Sequence, residues 1–109
     1  MHLDAAYGGV FFASSELRNK IGSCKDADSI VWDPHKGLLV PLQACVFLCK
    51  HPGVMEDCNS ASADYLFHKE RMSYNNNLDT GNKSLQCGRI LDILKLWIYF
   101  RGNGWKGIS

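Results

Sequence analysis

Residues 29–49 constrain the fold more than any other part of the chain, because two apolar runs are separated there by a short charged turn. The first run belongs to a predicted strand at 28–32 that ends at an Asp-Pro pair, since a residue before proline avoids helical backbone. The second run, 37–42, follows the turn, and a further run, 44–49, is continuously apolar, as expected of a strand covered on both faces. The turn at 33–36 carries Lys36, a residue type seldom buried without a partner. Either its ammonium reaches solvent, or a group in the interior uses it.

The remaining segments alternate extended and helical patterns. Residues 2–5 form a short apolar start, and the pattern at 14–21 predicts a helix. A second helix is predicted over 88–101, after a long polar stretch at 68–82 of the kind that is usually functional or disordered. This alternation predicts an α/β layer architecture. Because few helices are available to cover the sheet, we expect residues 1–109 to be an incomplete part of one larger domain.

Composition narrows the class of protein. The 109 residues suit one domain, and 46% hydrophobic with 21% charged residues is typical of a globular chain. A formal net charge of +1 indicates no nucleic-acid or membrane partner, and no apolar run approaches the roughly 18 residues of a membrane span. The N-terminus carries no secretory signal pattern.

The five cysteines indicate a reducing compartment. Their number is odd and their spacings match no paired zinc-ligand pattern, so we expect reduced thiols, no metal site and a cytoplasmic location. Cys45 lies in the apolar run 44–49, where a cysteine packs as a small hydrophobic residue.

Asp4 and Lys36 are the residues most able to carry chemistry. Asp4 ends an apolar segment and is followed by small residues, at the kind of strand end where α/β sheets bind ligands. Lys36 also lies just past a strand, and apolar surroundings would favour its neutral, nucleophilic amine. Together they suggest a pyridoxal-phosphate site, in which a lysine binds the aldehyde and an aspartate holds the pyridine nitrogen. The alternatives are an aspartate that caps the next turn and a lysine on a solvated surface turn.

Five blocks of sequence extend this pair along essentially the whole chain. The blocks are HLDAAYGG (2–9), SIVWDPHKGLLVPLQ (29–43), YLF (65–67), LDTGNKSLQCGR (78–89) and LKLWIYFRGNGWKG (94–107). In this order they resemble the group II pyridoxal-phosphate-dependent decarboxylases, and most of all the acidic-substrate branch of glutamate, cysteine sulfinate and aspartate decarboxylases. The resemblance implies the C-terminal part of the large domain of a type I, aspartate-aminotransferase-like fold, with a mixed, mostly parallel sheet and flanking helices.

The resemblance also implies roles for individual residues. Lys36 corresponds to the lysine that forms the internal aldimine with pyridoxal phosphate, and Asp4 to the carboxylate paired with the pyridine nitrogen. His35 corresponds to a histidine near the cofactor phosphate, and Ala6 to the small residue against the ring face. Gln43 is a candidate for substrate contact, with local packing or hydrogen bonding as its alternative.

Tyr74 corresponds to a tyrosine on a mobile loop that protonates the quinonoid carbon after CO₂ leaves. A closing loop also excludes water from that carbon. In the family this loop reaches the neighbouring subunit, which implies a homodimer. An exposed loop aromatic is the alternative for Tyr74. A solvated, salt-bridged helix face is predicted for Arg89, Asp92 and Lys95.

The family chain is several times longer than this sequence. The matching phosphate-binding groups, the ring-stacking histidine and the arginine for the substrate α-carboxylate are not among these residues. We therefore expect a fragment of an acidic amino acid decarboxylase with little or no activity of its own. The alternative is a truncated, non-catalytic product that keeps the dimer surface and acts as an interaction module. An unrelated small α/β binding protein is more remote.

Overall fold

Three short strands form a mixed sheet in the order β1-β2-β3. The computed structural model describes residues 1–21, 23–60, 80–86 and 88–108. The strands are β1 (His2–Asp4), β2 (Ser29–Trp32) and β3 (Val46–Cys49). β1 runs parallel to β2, with Asp4 opposite Val31, and β3 runs antiparallel to β2. The three predicted strands and the mixed sheet are confirmed, with one of the two pairings parallel.

The connection from β1 to β2 is helical, as a parallel pair of strands requires. It contains a 3₁₀ helix, Gly8–Ala13, followed by α1, Ser15–Ile21. α1 confirms the helix predicted at 14–21. Ser14 begins it, because its Oγ accepts a hydrogen bond from Leu17 N at 3.4 Å and so satisfies one of the unpaired amides of the first turn.

The core forms around the chain segment that follows α2, Pro34–Gly37, a single helical turn directly after β2. Leu38, Val40 and Ala44 are buried there together with Leu96 of α4, the helix Asp92–Asn103. Full burial of a leucine or valine side chain contributes about 1.5–3 kcal/mol. The segment that follows the Lys36 turn is therefore packed against α4 by these buried side chains.

α4 begins at Asp92 rather than at the predicted position 88. A glycine at 88 is a poor residue for a helix interior, whereas an acidic residue in the first turn favours the start of a helix through its dipole. The helix ends at Gly104, whose φ of +66° is readily adopted by glycine. A short 3₁₀ helix, Trp105–Gly107, follows.

β3 differs from its prediction in burial rather than in position. Val46 packs against the core, but Phe47 is 46% exposed and Leu48 54% exposed. The expectation of a strand covered on both faces is therefore wrong for the described part of this chain. A continuous apolar run leads to full burial only where layers pack on both sides of the sheet, and the described elements do not bury these two side chains.

The chain divides into two compact units: Met1–Lys50 with Ile90–Ser109, and His51–Arg89. The second unit contains α3, Val54–Asn59, and a 3₁₀ helix, Gly81–Lys83. Asn59 Nδ2 joins them, since it donates to the carbonyl oxygens of Met55 at 2.9 Å and Lys83 at 3.4 Å.

α3 is absent from the sequence prediction. Gly53, at φ +86°, precedes it, and two acidic residues lie in its first turn. These features favour a helix start, but a helix of one to two turns is too short for periodicity to show. Of the predicted polar stretch at 68–82, residues 68–79 lie outside the described part of the chain.

Candidate active site

The carboxyl ends of the two parallel strands meet at one edge of the sheet. Asp4 is the last residue of β1, and α2 follows β2 directly. Two backbone hydrogen bonds join the strand ends: Ala5 N donates to Val31 O at 2.9 Å, and Asp33 N donates to Ala6 O at 3.1 Å. The turns that follow the two strands are therefore neighbours, at the position where α/β sheets bind ligands.

Two glycines allow the 3₁₀ helix after β1 to approach β2 and α2 closely. A Cβ atom on Gly9 would overlap the ring of Trp32. A Cβ atom on Gly37 would lie 2.7 Å from Val10 Cγ1 and 3.2 Å from the Tyr7 carbonyl oxygen. Because these neighbours include backbone and packed side chains, a larger residue would push the two segments apart. Glycine at both positions keeps α2 against the turn that follows β1.

Lys36 forms an ion pair with Asp33. Its Nζ lies 2.7 Å from Asp33 Oδ2, and its side chain is 43% exposed. The hydrogen bond to Asp33 raises the pKa of Lys36 above its usual 10.5; partial desolvation opposes this, and the charges of Asp33 and Asp4 add to it. This corrects the expectation of apolar surroundings that favour a neutral amine. A carboxylate dominates the environment of the amine instead.

Asp33 is the site residue that the sequence reasoning missed. Its side chain is 11% exposed. Hydrogen bonds from Cys45 and Lys36 hold the pKa of Asp33 below its usual 3.8, against the opposing effect of burial. The sequence carried a signal, because Asp-Pro-His-Lys places a carboxylate and an amine at i and i+3, which are neighbours in a helical turn. Cys45, expected to pack only as a small hydrophobic residue, contacts this carboxylate.

The imidazole of His35 is held by the backbone of Ala44. Nδ1 lies 2.5 Å from the Ala44 carbonyl oxygen and 3.2 Å from Ala44 N. A protonated Nδ1 donates to the carbonyl oxygen and an unprotonated Nδ1 accepts from Ala44 N, so Ala44 holds either tautomer and Nε2 is the ring nitrogen that can meet a ligand. The residue is half-buried. His35 is therefore a positioned group and does not fit the alternative of a solvated surface turn.

Asp4 shows the turn-capping contact and also acts on Lys36. Its Oδ1 accepts a hydrogen bond from Ala6 N at 3.0 Å, which is the capping role considered from the sequence. The residue is exposed, and its charge helps to raise the pKa of Lys36. Ala6 is half-buried in the same turn. One carboxylate therefore stabilises the turn and faces the region of the amine.

Gln43 is exposed, and its backbone is bound by α4. Lys95 Nζ donates to the carbonyl oxygens of Leu42 at 3.0 Å and Gln43 at 3.1 Å, and pairs with Asp92 Oδ1 at 2.8 Å. The salt bridge expected on this helix face is present. The face is not fully solvated, since the Lys95 and Asp92 side chains are 28% and 26% exposed. Arg89 lies before the first residue of α4.

The structure thus brings four of the six predicted site residues to one edge of the sheet: Asp4, Ala6, His35 and Lys36. Gln43 lies one residue before the backbone partner of His35. Tyr74 lies outside the described residues. The roles of these residues toward a cofactor and substrate stay predictions.

The chemistry of this edge suits a pyridoxal cofactor. An aldehyde requires an amine that it can reach, and the Lys36 side chain is 43% exposed. A pyridine nitrogen requires a carboxylate, and Asp4 is exposed at the carboxyl end of β1 on the same edge of the sheet.

The described ranges offer no sign of a metal centre, since they contain no group of three or more His, Cys, Asp or Glu residues arranged to hold an ion. Within the same ranges, none of the helices has the length and apolar character needed to cross a membrane.

The sequence profile of the pyridoxal-dependent decarboxylase conserved domain matches residues 1–109. The chain belongs to this decarboxylase family. The expected family is confirmed, and with it pyridoxal phosphate as the family cofactor and carboxy-lyase chemistry as the family activity.

Solved members of the decarboxylase family share this fold. Mouse CSAD, cysteine sulfinic acid decarboxylase, is 35% identical, with a TM-score of 0.86 over 98% of this chain and 22% of that chain. Catharanthus roseus tryptophan decarboxylase in complex with L-tryptophan is 26% identical, with a TM-score of 0.76 over 98% of this chain and 20% of that chain. Oryza sativa TDC with PLP and tryptamine is 25% identical, with a TM-score of 0.82 over 98% of this chain and 22% of that chain.

These similarities confirm the expected α/β fold of type I pyridoxal-phosphate enzymes. The chain spans about a fifth of the length of these solved relatives, 20–22%. The relatives include decarboxylases of different substrate classes, so the decarboxylase chemistry is shared while the substrate differs between them.

Proposed function

We propose that this chain provides the lysine-bearing part of a pyridoxal-phosphate-dependent decarboxylase for an acidic amino acid, such as glutamate, cysteine sulfinate or aspartate. The observation that carries the proposal is the placement of Asp4 at the carboxyl end of β1 and of Lys36 just past the carboxyl end of the adjacent parallel strand β2. At that edge the charge of Asp4 acts on the Lys36 amine. An aldehyde-bearing pyridine requires this pair of groups.

Each residue at this edge of the sheet contacts a different part of the cofactor in this proposal. Pyridoxal phosphate supplies an aldehyde for covalent attachment and a ring that withdraws electrons from the substrate α-carbon. Lys36 provides the amine for that attachment, and Asp4 holds a proton at the pyridine nitrogen. His35 presents Nε2 to the phosphate while Ala44 fixes its other nitrogen. Ala6 leaves room at the face of the ring.

Two further residues complete the proposal. Tyr74 delivers a proton to the substrate α-carbon after CO₂ leaves. Gln43 contacts the distal acid group of the substrate. We place the complete enzyme in the cytoplasm as a homodimer.

The acidic substrate class is supported by two observations. The Leu-Gln pair at 42–43 and the block at 78–89 resemble the acidic branch of the family. The identity to mouse CSAD is 35%, against 26% to the tryptophan decarboxylase and 25% to TDC.

Gln43→Ala in the complete enzyme tests the substrate contact. We expect a higher KM for acidic amino acids with cofactor attachment unchanged, because the exposed side chain is removed while the backbone bound by α4 is kept. An unchanged KM removes Gln43 from the substrate site.

Covalent trapping on the purified chain tests the proposed attachment. The chain is incubated with pyridoxal phosphate and reduced with borohydride, and the modified lysine is located by peptide mass spectrometry. We expect modification concentrated at Lys36. The matched control is Lys20, an exposed lysine paired with Glu16 at 3.2 Å on α1. Lys36→Arg removes the main product and Lys20→Arg does not. Equal modification of all exposed lysines contradicts the proposal.

Activity of the 109-residue chain is a separate expectation. It releases little or no CO₂ from glutamate, aspartate or cysteine sulfinate, because orientation of the cofactor by further phosphate and ring contacts supplies much of the rate. Turnover at the rate of a complete family enzyme, abolished by Lys36→Arg, contradicts this expectation.

A non-catalytic interaction module is the second candidate. It is favoured by apolar side chains that are about half exposed on β3 and α4, namely Phe47, Leu48, Trp97 and Ile98. Binding of the chain to a full-length family member, without enrichment of trapping at Lys36, supports this alternative. Enrichment at Lys36 favours the cofactor site.

A further inference from the structure

Asp33 is locked in place beside the amine of Lys36. Its amide donates to Ala6 O at 3.1 Å, and its carbonyl oxygen accepts from Lys36 N at 2.9 Å. Pro34 fixes the next φ angle at the start of α2. The backbone amide of Asp33 is therefore bound to the turn after β1, and its carbonyl group is bound to the helical turn that carries Lys36.

The carboxylate of Asp33 forms an ion pair with the Lys36 amine and does not cap the helix. Asp33 stands at the N-cap position of α2, yet its side chain makes no capping hydrogen bond. Its Oδ2 lies 2.7 Å from Lys36 Nζ. With only 11% of the Asp33 side chain exposed, water screens this pair less than it screens an ordinary surface pair.

The charged and titratable groups around the Lys36 amine come from three segments. Asp33 lies in direct contact, Asp4 from the end of β1 acts through its charge, and Cys45 from before β3 donates a hydrogen bond to Asp33. His35 precedes Lys36 in α2 and acts on Asp33. Asp33 differs from Asp4 in being buried and in contact, whereas Asp4 is exposed and already accepts a hydrogen bond from Ala6.

We propose that Asp33 is a positioning residue that holds Lys36 as its ammonium and thereby limits the rate at which this lysine attaches an aldehyde cofactor. The inference rests on the proposed function of Lys36. An ammonium has no lone pair and must first give its proton to water or a buffer base. The neutral nitrogen then attacks the aldehyde carbon. A C=N bond forms as the aldehyde oxygen leaves as water.

The ion pair therefore opposes loss of the proton from Lys36 and favours the position from which the neutral nitrogen attacks the aldehyde carbon. It removes the nucleophilic form of the amine, and it also keeps the side chain from rotating away from the edge of the sheet. Loss of the Asp33 charge with its shape retained, as in Asp33→Asn, separates the two effects. The amide still accepts a hydrogen bond, but it no longer stabilises the ammonium.

The wild-type chain provides the first measurement. Labelling of Lys36 by acetic anhydride is followed by mass spectrometry as a function of pH, in the native chain and in the chain unfolded by urea. We expect the labelling midpoint of Lys36 to lie at higher pH in the native chain. A native midpoint at or below that of the unfolded chain overturns the inference, and this test needs no variant to fold.

The variants provide the second measurement. At pH 7 we expect Asp33→Asn to raise the rates of acetylation and of pyridoxal phosphate trapping at Lys36 roughly tenfold, as loss of a contacting opposite charge implies. Asp33→Glu keeps the charge and should retain a slow rate. Asp26→Asn, at an exposed aspartate of the same unit, is the matched control and leaves both rates unchanged. Equal rates in Asp33→Asn and Asp26→Asn overturn the inference.

The two readouts separate this inference from the proposed function. A lower acetylation midpoint in Asp33→Asn without enrichment of aldehyde trapping at Lys36 supports the ion pair and contradicts the cofactor site. Enrichment at Lys36 with an acetylation midpoint unchanged by Asp33→Asn supports the cofactor site and contradicts the role of Asp33.

Discussion

Two ion pairs in this chain share one sequence spacing and have different surroundings. Asp33 and Lys36 meet at 2.7 Å, and Asp92 and Lys95 meet at 2.8 Å, both at i and i+3. The Lys95 ammonium also donates to two backbone carbonyl oxygens. Its side chain is 28% exposed, whereas that of Lys36 is 43% exposed.

The comparison shows that spacing alone does not decide the role of a lysine. Lys95 distributes its donors over a carboxylate and two carbonyl groups of another segment, so it holds the segment before Ala44, the backbone partner of His35, against α4. Lys36 pairs with a buried carboxylate and presents more of its side chain to solvent. The first arrangement suits structural support, and the second suits an amine that reacts with a ligand.

The largest expected difference between the two pairs concerns cofactor attachment. Lys36→Met removes the amine, so borohydride trapping of pyridoxal phosphate at this position is lost completely. Lys95→Met keeps Lys36, and most of the trapping should remain. Peptide mass spectrometry after reduction measures both. Loss of trapping in both variants, with both still folded by circular dichroism, would remove the distinction.

The next difference concerns stability. Lys95→Met leaves Asp92 and two carbonyl oxygens without their cationic donor, so we expect the free energy of unfolding to fall by about 1–3 kcal/mol. Lys36→Met should cost less, because only one carboxylate loses its cationic donor and Asp33 keeps its hydrogen bond from Cys45. Urea unfolding of the two variants measures the order. A larger loss in Lys36→Met would reverse the structural reading of the pairs.

The dependence of stability on acid pH tests the role of the Asp33 carboxylate. The pKa of Asp33 is lowered from 3.8 in the folded chain. Its contribution to stability is therefore fully present above pH 3.8 and is lost as the pH falls through the lower folded value. We expect Asp33→Asn to reduce the loss of unfolding free energy on acidification below pH 3.8. Urea unfolding across this range measures it, and an unchanged acid dependence contradicts the prediction.

The smallest effect is expected for Asp4. Asp4→Asn removes a charge that raises the pKa of Lys36 without contacting it directly. The acetylation rate of Lys36 at pH 7 should therefore increase less than it does in Asp33→Asn. An increase equal to or greater than that of Asp33→Asn would assign control of the amine to Asp4.

The local elements of the fold were accessible from sequence because their signals are local. The Asp-Pro pair ends β2, and Ser14 begins α1, since both act on neighbouring backbone through sterics or hydrogen bonds. α3 and the first residue of α4 were not predicted from the sequence, because short helices carry little periodicity and helix starts are set by contacts of a few residues.

The candidate site was accessible in part for a different reason. Asp4 ends β1 and Lys36 follows β2, and the carboxyl ends of parallel strands share an edge, so their placement at one edge follows from the pattern once β1 and β2 pair in parallel. The state of the amine did not follow. Apolar neighbours in sequence predicted a neutral lysine, but the buried carboxylate of Asp33 sets its charge.

By itself, the sequence determined the three strands, the helix at 14–21 and the family, and it identified Lys36 as the candidate for aldehyde attachment, because these depend on local patterns and on residue type. Only the tertiary structure decided that Asp33 pairs with Lys36 and that the backbone of Ala44 holds His35. It also decided that Lys95 of α4 binds the carbonyl oxygens of Leu42 and Gln43. Side-chain electrostatics depend on distances of a few ångströms between residues brought together by packing, and a linear pattern does not contain those distances.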